Sequence, residues 1–203
     1  MAQDINASPL GRAASRTDPA TVPPGDHETP SRCIRYGFRD TPIGVVLLAA
    51  TDRGLCSLRI CPEAEPRKPL AELRTEFPKA AFVEDLVSVR GYADQLIAFL
   101  EARTDRFTPR LDILSGTTFQ REVWKGLQRV RPGETISYTA LAARIGRPTA
   151  VRAVGGACAR NGIAIAIPCH RAVRADATLA GYRWGLGWKR RLLEIEAALA
   201  GSR

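Results

Sequence analysis

Ile167-Pro168-Cys169-His170-Arg171-Ala172-Val173 is the stretch on which the reading of this chain turns. It sets a cysteine directly before one of only two histidines in the sequence; the other, His27, lies in a polar segment. An apolar run, Gly162-Ile163-Ala164-Ile165-Ala166-Ile167, leads into it, and Pro168 stiffens the approach by fixing its own φ. A thiol is a useful nucleophile only as thiolate, and a neighbouring His and Arg favour that form. A small buried cysteine with a chance basic neighbour would look the same. The pair alone leaves both readings open.

The surroundings narrow the choice. A chain of 203 residues allows one large domain or two small ones. Its 45% hydrophobic and 25% charged residues are ordinary for a soluble globular protein. No apolar stretch reaches membrane-spanning length and no signal pattern opens the chain, so no membrane partner and a cytoplasmic location are expected. Cysteines 33, 56, 61, 158 and 169 are odd in number and form no CxxC pair. With two histidines, neither a disulfide framework nor a structural zinc site is expected, and no other metal or cofactor is implied. Cys33, Cys56, Cys61 and Cys158 are read as structural. The net charge of +9 sits in the second half: residues 111–203 carry 15 basic and 6 acidic side chains, while residues 1–30 are net −2. That suggests a polyanionic partner, although a solvated Arg-rich face would give the same count.

Residues 1–30, rich in Pro, Ala, Ser and Thr, are expected to form a disordered or loosely attached tail. Residues 31–110 make the first domain. Ile34, Tyr36 and Phe38 alternate with polar positions; 44–50 and 54–60 read as further strands around a turn at 51–54, and 69–77 and 87–102 as helices. Residues 108–113 look extended. Residues 111–203 make the second, mainly helical domain. Thr118 is the expected cap of a helix whose buried face holds Phe119, Val123 and Leu127. Ser137 or Tyr138 opens another helix that stops at Gly146, and Pro148 suits the first turn of a third, 149–159. Two helices about a Gly turn are a helix-turn-helix signal. The second carries Arg152 among Ala150, Ala153, Gly155, Gly156 and Ala157, a face small enough to bring backbone close to a partner or to pack tightly in a core. The run Lys189-Arg190-Arg191 is read as a solvated helix face.

With these residues the chain resembles the O6-alkylguanine-DNA alkyltransferases, and within them the alkyltransferase portion of bacterial adaptive-response proteins. The resemblance covers residues 33–197. Pro168-Cys169-His170-Arg171 matches the family's signature, and Tyr138, Arg152, Asn161, Tyr182 and Glu196 fall at the family's spacing from the cysteine. It implies a fold of class α/β: a small ribonuclease-H-like N-terminal domain with an antiparallel sheet, and a helical, winged-helix-like C-terminal domain with the helix-turn-helix. It also implies roles. Cys169 accepts the alkyl group, His170 takes its proton through a water, and Glu196 orients His170. Tyr138 supplies a proton to the leaving guanine, and Asn161 braces the turn before an active-site strand. Arg152 enters the base stack, with Ala153, Gly155, Gly156 and Arg160 against DNA. Tyr182, Arg183 and Trp184 wall the pocket. One departure stands out: Ala177 occupies a position that is commonly Gly, and would be strained if φ is positive there.

The expected activity is that of a methylated-DNA–protein-cysteine methyltransferase acting once per molecule. It is a direct DNA repair with base flipping, in a monomer, on double-stranded DNA carrying O6-alkylguanine. A thioether offers no ready route back to thiol. A non-catalytic helix-turn-helix regulator would not need Cys169, His170 and Glu196 together. A thiol hydrolase would want an oxyanion site and a histidine set apart from its nucleophile.

Overall fold

The computed structural model describes residues 32–201; the expected tail, 1–30, lies outside them. The described residues open with β1 (Arg32–Thr41), β2 (Gly44–Thr51) and β3 (Gly54–Ile60), an antiparallel meander whose second turn falls at the predicted 51–54. Next come α1 (Lys68–Glu76), β4 (Ala80–Glu84) and α2 (Leu86–Leu100). The sheet order is β3-β2-β1-β4. The sheet is therefore mixed rather than antiparallel: β4 runs parallel to β1, and α1 supplies the crossover that a parallel pair requires.

Both faces of the sheet are covered. Ile34, Tyr36, Leu47 and Leu73 pack on the α1 side, while Val46, Leu48, Leu55 and Leu58 join α2 and the second half in one core. Burial on two faces explains why β2 reads as a continuous apolar run and why even Ser57 and Arg59 of β3 are buried. β3 is an edge strand, and its free edge is sealed. Leu55 N–H donates to Arg110 O (2.9 Å), Leu58 N–H to Gly162 O (3.1 Å) and Ala164 N–H to Leu58 O (2.8 Å). This seal protects the edge and pins the approach to Cys169 onto the sheet.

The second half contains α3 (Thr118–Gln128), β5 (Ile136–Ser137), α4 (Tyr138–Arg144), α5 (Val151–Ala159), a single 3-10 turn (Cys169–Arg171), β6 (Ala172–Val173) and α6 (Leu186–Gly201). The cap of α3 is Thr117, one residue before the expected Thr118, because Gln120 at the third position closes a reciprocal capping box with it. Gly126 lets α3 approach α4; a Cβ there would meet Leu141 at 2.9 Å. Gly146 turns the chain at φ +71, and α5 begins at Val151, so Pro148 lies in the turn and not in the helix. β5 and β6 pair in parallel beside the cysteine.

The run 162–167 is not the expected strand. It folds into tight turns, with Ala166 N–H donating to Ala164 O (2.6 Å) and Ile167 N–H to Ile163 O (3.1 Å). Ile165 holds φ +66, a region that a β-branched residue rarely adopts. Strain of this kind costs about 1–3 kcal/mol and persists only where the surroundings hold it. Here every neighbour from Ile163 to Cys169 is buried.

Candidate active site

Cys169 is 3% exposed and lies at the wall of a cavity of about 420 Å³ with Tyr138, Cys158, Tyr182 and Arg183. Asn161 fixes its surroundings. The amide Oδ1 accepts from Ile163 N–H (2.9 Å), so Nδ2 is the donor, to Ile167 O (2.8 Å) and to the Cys169 sulfur (3.2 Å). Fully buried, Asn161 thus ties the end of α5 to the cysteine turn.

The thiol is not pre-ionised. Burial pushes it up to about 11, against partial relief from the Asn161 hydrogen bond and the positive charge of Lys189. The sequence suggested His170 and Arg171 as the activating neighbours. Both instead engage Glu196. His170 Nε2 lies 2.8 Å from Glu196 Oε1. Arg171 donates from Nε and Nη2 to the same carboxylate (2.7–3.2 Å) and from Nη1 to Val130 O. Burial alone would raise the Glu196 carboxyl, but hydrogen bonds and charge from His170 and Arg171 outweigh it and hold it at about 2. Burial lowers His170, so the imidazole is neutral at pH 7. A carboxylate only accepts, so Nε2 carries the proton and Nδ1 keeps a lone pair. Nδ1 has no protein partner, and neither does the buried Tyr182 hydroxyl.

One charged residue was not legible as a site component. Lys189 was read as part of a solvated face, and that holds only for Arg190 and Arg191. Lys189 is fully buried and donates from Nζ to Ala172 O and Ala180 O, tying α6 to β6 and to the pocket loop. Arg171, the last residue of the signature, is a buried ion-pair partner of Glu196. The only sequence signal for Lys189 was its position on the apolar side of α6 beside Leu192 and Glu196.

Trp184 requires a correction. It does not line the Cys169 cavity. The turn Tyr182–Gly185, closed by Gly185 N–H to Tyr182 O (3.0 Å), fans its side chains apart. Trp184 lies in a separate groove with Pro62, Pro69 and Trp188, its ring 5.1 Å from that of Tyr182. Tyr182 and Arg183 face Cys169, and Arg183 also reaches Glu72 and Glu76 on α1 (3.4 and 3.5 Å). Ala177 does adopt the strained conformation, φ +62, in the turn before this loop.

On α5, Arg152, Ala153, Gly156 and Arg160 are exposed and Gly155 borders the Cys169 cavity. A Cβ at Gly155 or Gly156 would meet nothing within 4 Å. The two glycines therefore serve no internal packing, although each costs a helix roughly 0.5–1 kcal/mol relative to Ala. The small face is open to a partner at Ala153, Gly155 and Gly156, while Ala157 is buried in the core.

Family models match both halves: the ribonuclease-like domain of 6-O-methylguanine DNA methyltransferase over residues 34–113, and its DNA binding domain over residues 118–198. The methylated-DNA–protein-cysteine methyltransferase of Mycolicibacterium paratuberculosis is 40% identical over 80% of this chain and 92% of its own length. The chain belongs to this methyltransferase family. The crystal structure of the Mycobacterium tuberculosis methyltransferase OGT in complex with DNA superposes with a TM-score of 0.68 at 37% identity, covering 82% of this chain and 94% of that one. The bifunctional transcriptional activator and DNA repair enzyme Ada of Escherichia coli is 40% identical over 95% of this chain. The chain spans about half the length of Ada, 53%. No helix among the described residues is long and apolar enough to cross a membrane.

Proposed function

We propose that this chain repairs O6-alkylguanine in double-stranded DNA by taking the alkyl group onto Cys169, once per molecule and as a monomer. The observation that carries this reading is the position of Cys169. Its sulfur lies in a cavity bordered by Gly155 of the exposed, glycine-bearing helix α5, with His170 and Glu196 coupled behind it. A base stacked in a duplex cannot enter such a cavity, so the nucleotide is extruded. Arg152, Ala153, Gly155, Gly156 and Arg160 form the surface that meets the groove, and Arg152 fills the vacated stack.

At pH 7 a thiol held at about 11 is thiolate in only about one part in ten thousand. Proton removal therefore accompanies attack, and neutral His170 with a free Nδ1 is the base, reached through a water. Glu196 stabilises the imidazolium that forms. The S–C bond forms as the C–O6 bond breaks, and the electron pair leaves on guanine. Tyr138, pushed up to about 12 by burial and by the nearby thiols, stays protonated and supplies the proton that neutralises the leaving base. Residues 111–203 carry this chemistry; residues 31–110 act as the scaffold whose β3 edge holds the cysteine approach.

Intact-protein mass measurement after incubation with O6-methylguanine duplex tests the reading. One methyl increment, mapped to Cys169, is expected. Cys169→Ala is expected to bind DNA as the parent does and to gain no methyl group. A methyl group on Cys158, or several turnovers per molecule, would overturn it. A regulator without transfer chemistry would show no increment at all.

A further inference from the structure

Behind the cysteine turn lies a second cavity, about 630 Å³, which shares no lining residue with the Cys169 cavity. Its walls come from residues 106–109 and 128–132 and from Ile165, Ala166, Pro168 and Arg171. Four guanidinium groups line it, those of Arg106, Arg129, Arg131 and Arg171, and no carboxylate among the described residues does. Among the described residues the one ion pair of Arg106 is with the adjacent Asp105, at 3.7 Å. Arg129 and Arg131 have no side-chain ion pair among the described residues. Glu134 accepts from the backbone N–H of Arg131, not from its side chain.

Arg171 is the second, independent observation. Its side chain is 8% exposed. A guanidinium has five N–H donors. Glu196 and Val130 O engage those of Nε, one of Nη2 and one of Nη1. These bonds leave one hydrogen on Nη1 and one on Nη2 with no acceptor among the described residues, a fork on a buried side chain that lines the cavity. Such a fork matches two oxygens of a phosphate, and pre-ordering by Glu196 lowers the entropy lost on binding. Phe107, Pro109, Pro132 and Ile165 add an apolar wall on which a base or sugar can lie. The volume falls within the range of small-ligand sites and is too small for a duplex.

We propose that this cavity is a phosphate-binding site for a nucleotide, with Arg171 as its floor and Arg129 and Arg131 at its mouth. The shared chemistry is a nucleotide phosphate, whether of a free nucleotide or of a single strand's 5′ end. Its oxygens would share the guanidinium that holds Glu196, so occupancy would bear on the His170–Glu196 pair from behind. The site does not depend on alkyl transfer to Cys169, and its failure would leave that reading untouched.

Titration calorimetry of the full chain at low ionic strength tests it, with 5′-deoxycytidine monophosphate and deoxycytidine as probes. The monophosphate is expected to bind at least about tenfold tighter than the nucleoside, a difference of about 1.4 kcal/mol. Arg129→Gln/Arg131→Gln is expected to lose that preference while keeping its melting temperature and its methylation rate with free O6-methylguanine. Arg190→Gln/Arg191→Gln removes the same charge elsewhere and is expected to keep the preference. Competition by a 5′-phosphorylated oligodeoxycytidine would assign the strand end as the ligand; no competition would assign the free nucleotide. Equal affinities for monophosphate and nucleoside, or a preference unchanged in Arg129→Gln/Arg131→Gln, would overturn the proposal.

Discussion

Glu196 holds two partners with one carboxylate, and the consequences can be read at that single residue. It fixes the His170 tautomer and neutralises the buried Arg171. Glu196→Gln removes the charge while keeping the shape. Methyl transfer is expected to slow by about 100-fold or more, the usual contribution of a well-placed base and its support. Stability is expected to drop by about 3–5 kcal/mol, because Arg171 is left buried without its counter-charge. The pH dependence has a defined sign. The folded-state carboxyl lies near 2, below its ordinary value. Its stabilising contribution is therefore full above about pH 4.5 and lost as pH falls towards about 2. His170 is also depressed, and its contribution likewise fades below its ordinary value near 6.5. Acid unfolding monitored by circular dichroism should show the loss between about pH 4.5 and 2 in the wild type and not in Glu196→Gln. Parallel acid profiles would mean that Glu196 is not the titrating group.

At the scale of elements, α5 carries the clearest test. A Cβ at either of its glycines would meet nothing within 4 Å, so its exposed face is shaped for a partner, and Arg152 is the single long side chain in its first turn. Unstacking a base costs a few kcal/mol, and a wedge that offsets it matters only in duplex DNA. Arg152→Ala should slow repair of duplex substrate by roughly 10- to 100-fold more than reaction with free O6-methylguanine. Equal losses on both substrates would assign Arg152 to folding instead. The helices themselves were legible, because each buries a stripe at helical spacing and starts or stops on local chemistry such as Ser137 and Gly146. β4 was not legible. Ala80-Ala81-Phe82-Val83-Glu84 is short and does not alternate, and its strand character comes from parallel pairing with β1, a contact made only once α1 has crossed over. The run 162–167 misled for the opposite reason. Continuous apolar residues mark burial, not conformation, and the tertiary fold here winds them into turns pinned to β3. Cys169, His170 and Glu196 could be singled out because their residue types are scarce and their spacing matches a family pattern. Lys189 could not, since a basic residue beside others looks solvated until its hydrogen bonds are seen.

For the whole molecule, the two halves matched by separate family models share one core. Leu48, Leu55 and Leu58 from the sheet join Val123, Ala164 and Leu192 from the helical half in a single buried cluster. The junction is reinforced by backbone bonds from both sides of Leu58 to residues 162 and 164. Domains that share a core unfold together, whereas domains joined by a linker unfold separately. The distribution of probes makes this testable. All three tryptophans, Trp124, Trp184 and Trp188, lie in the second half, while far-ultraviolet circular dichroism reports on both. Denaturant unfolding should give coincident midpoints by the two methods. Leu58→Ala removes a fully buried side chain at the junction and should cost about 2–5 kcal/mol. Both midpoints should fall by the same amount, although the tryptophans are in the other half from the substitution. If fluorescence kept its midpoint while circular dichroism shifted, the halves would be independent folding units. The β3 edge would then be a resting place for the cysteine approach and not its support.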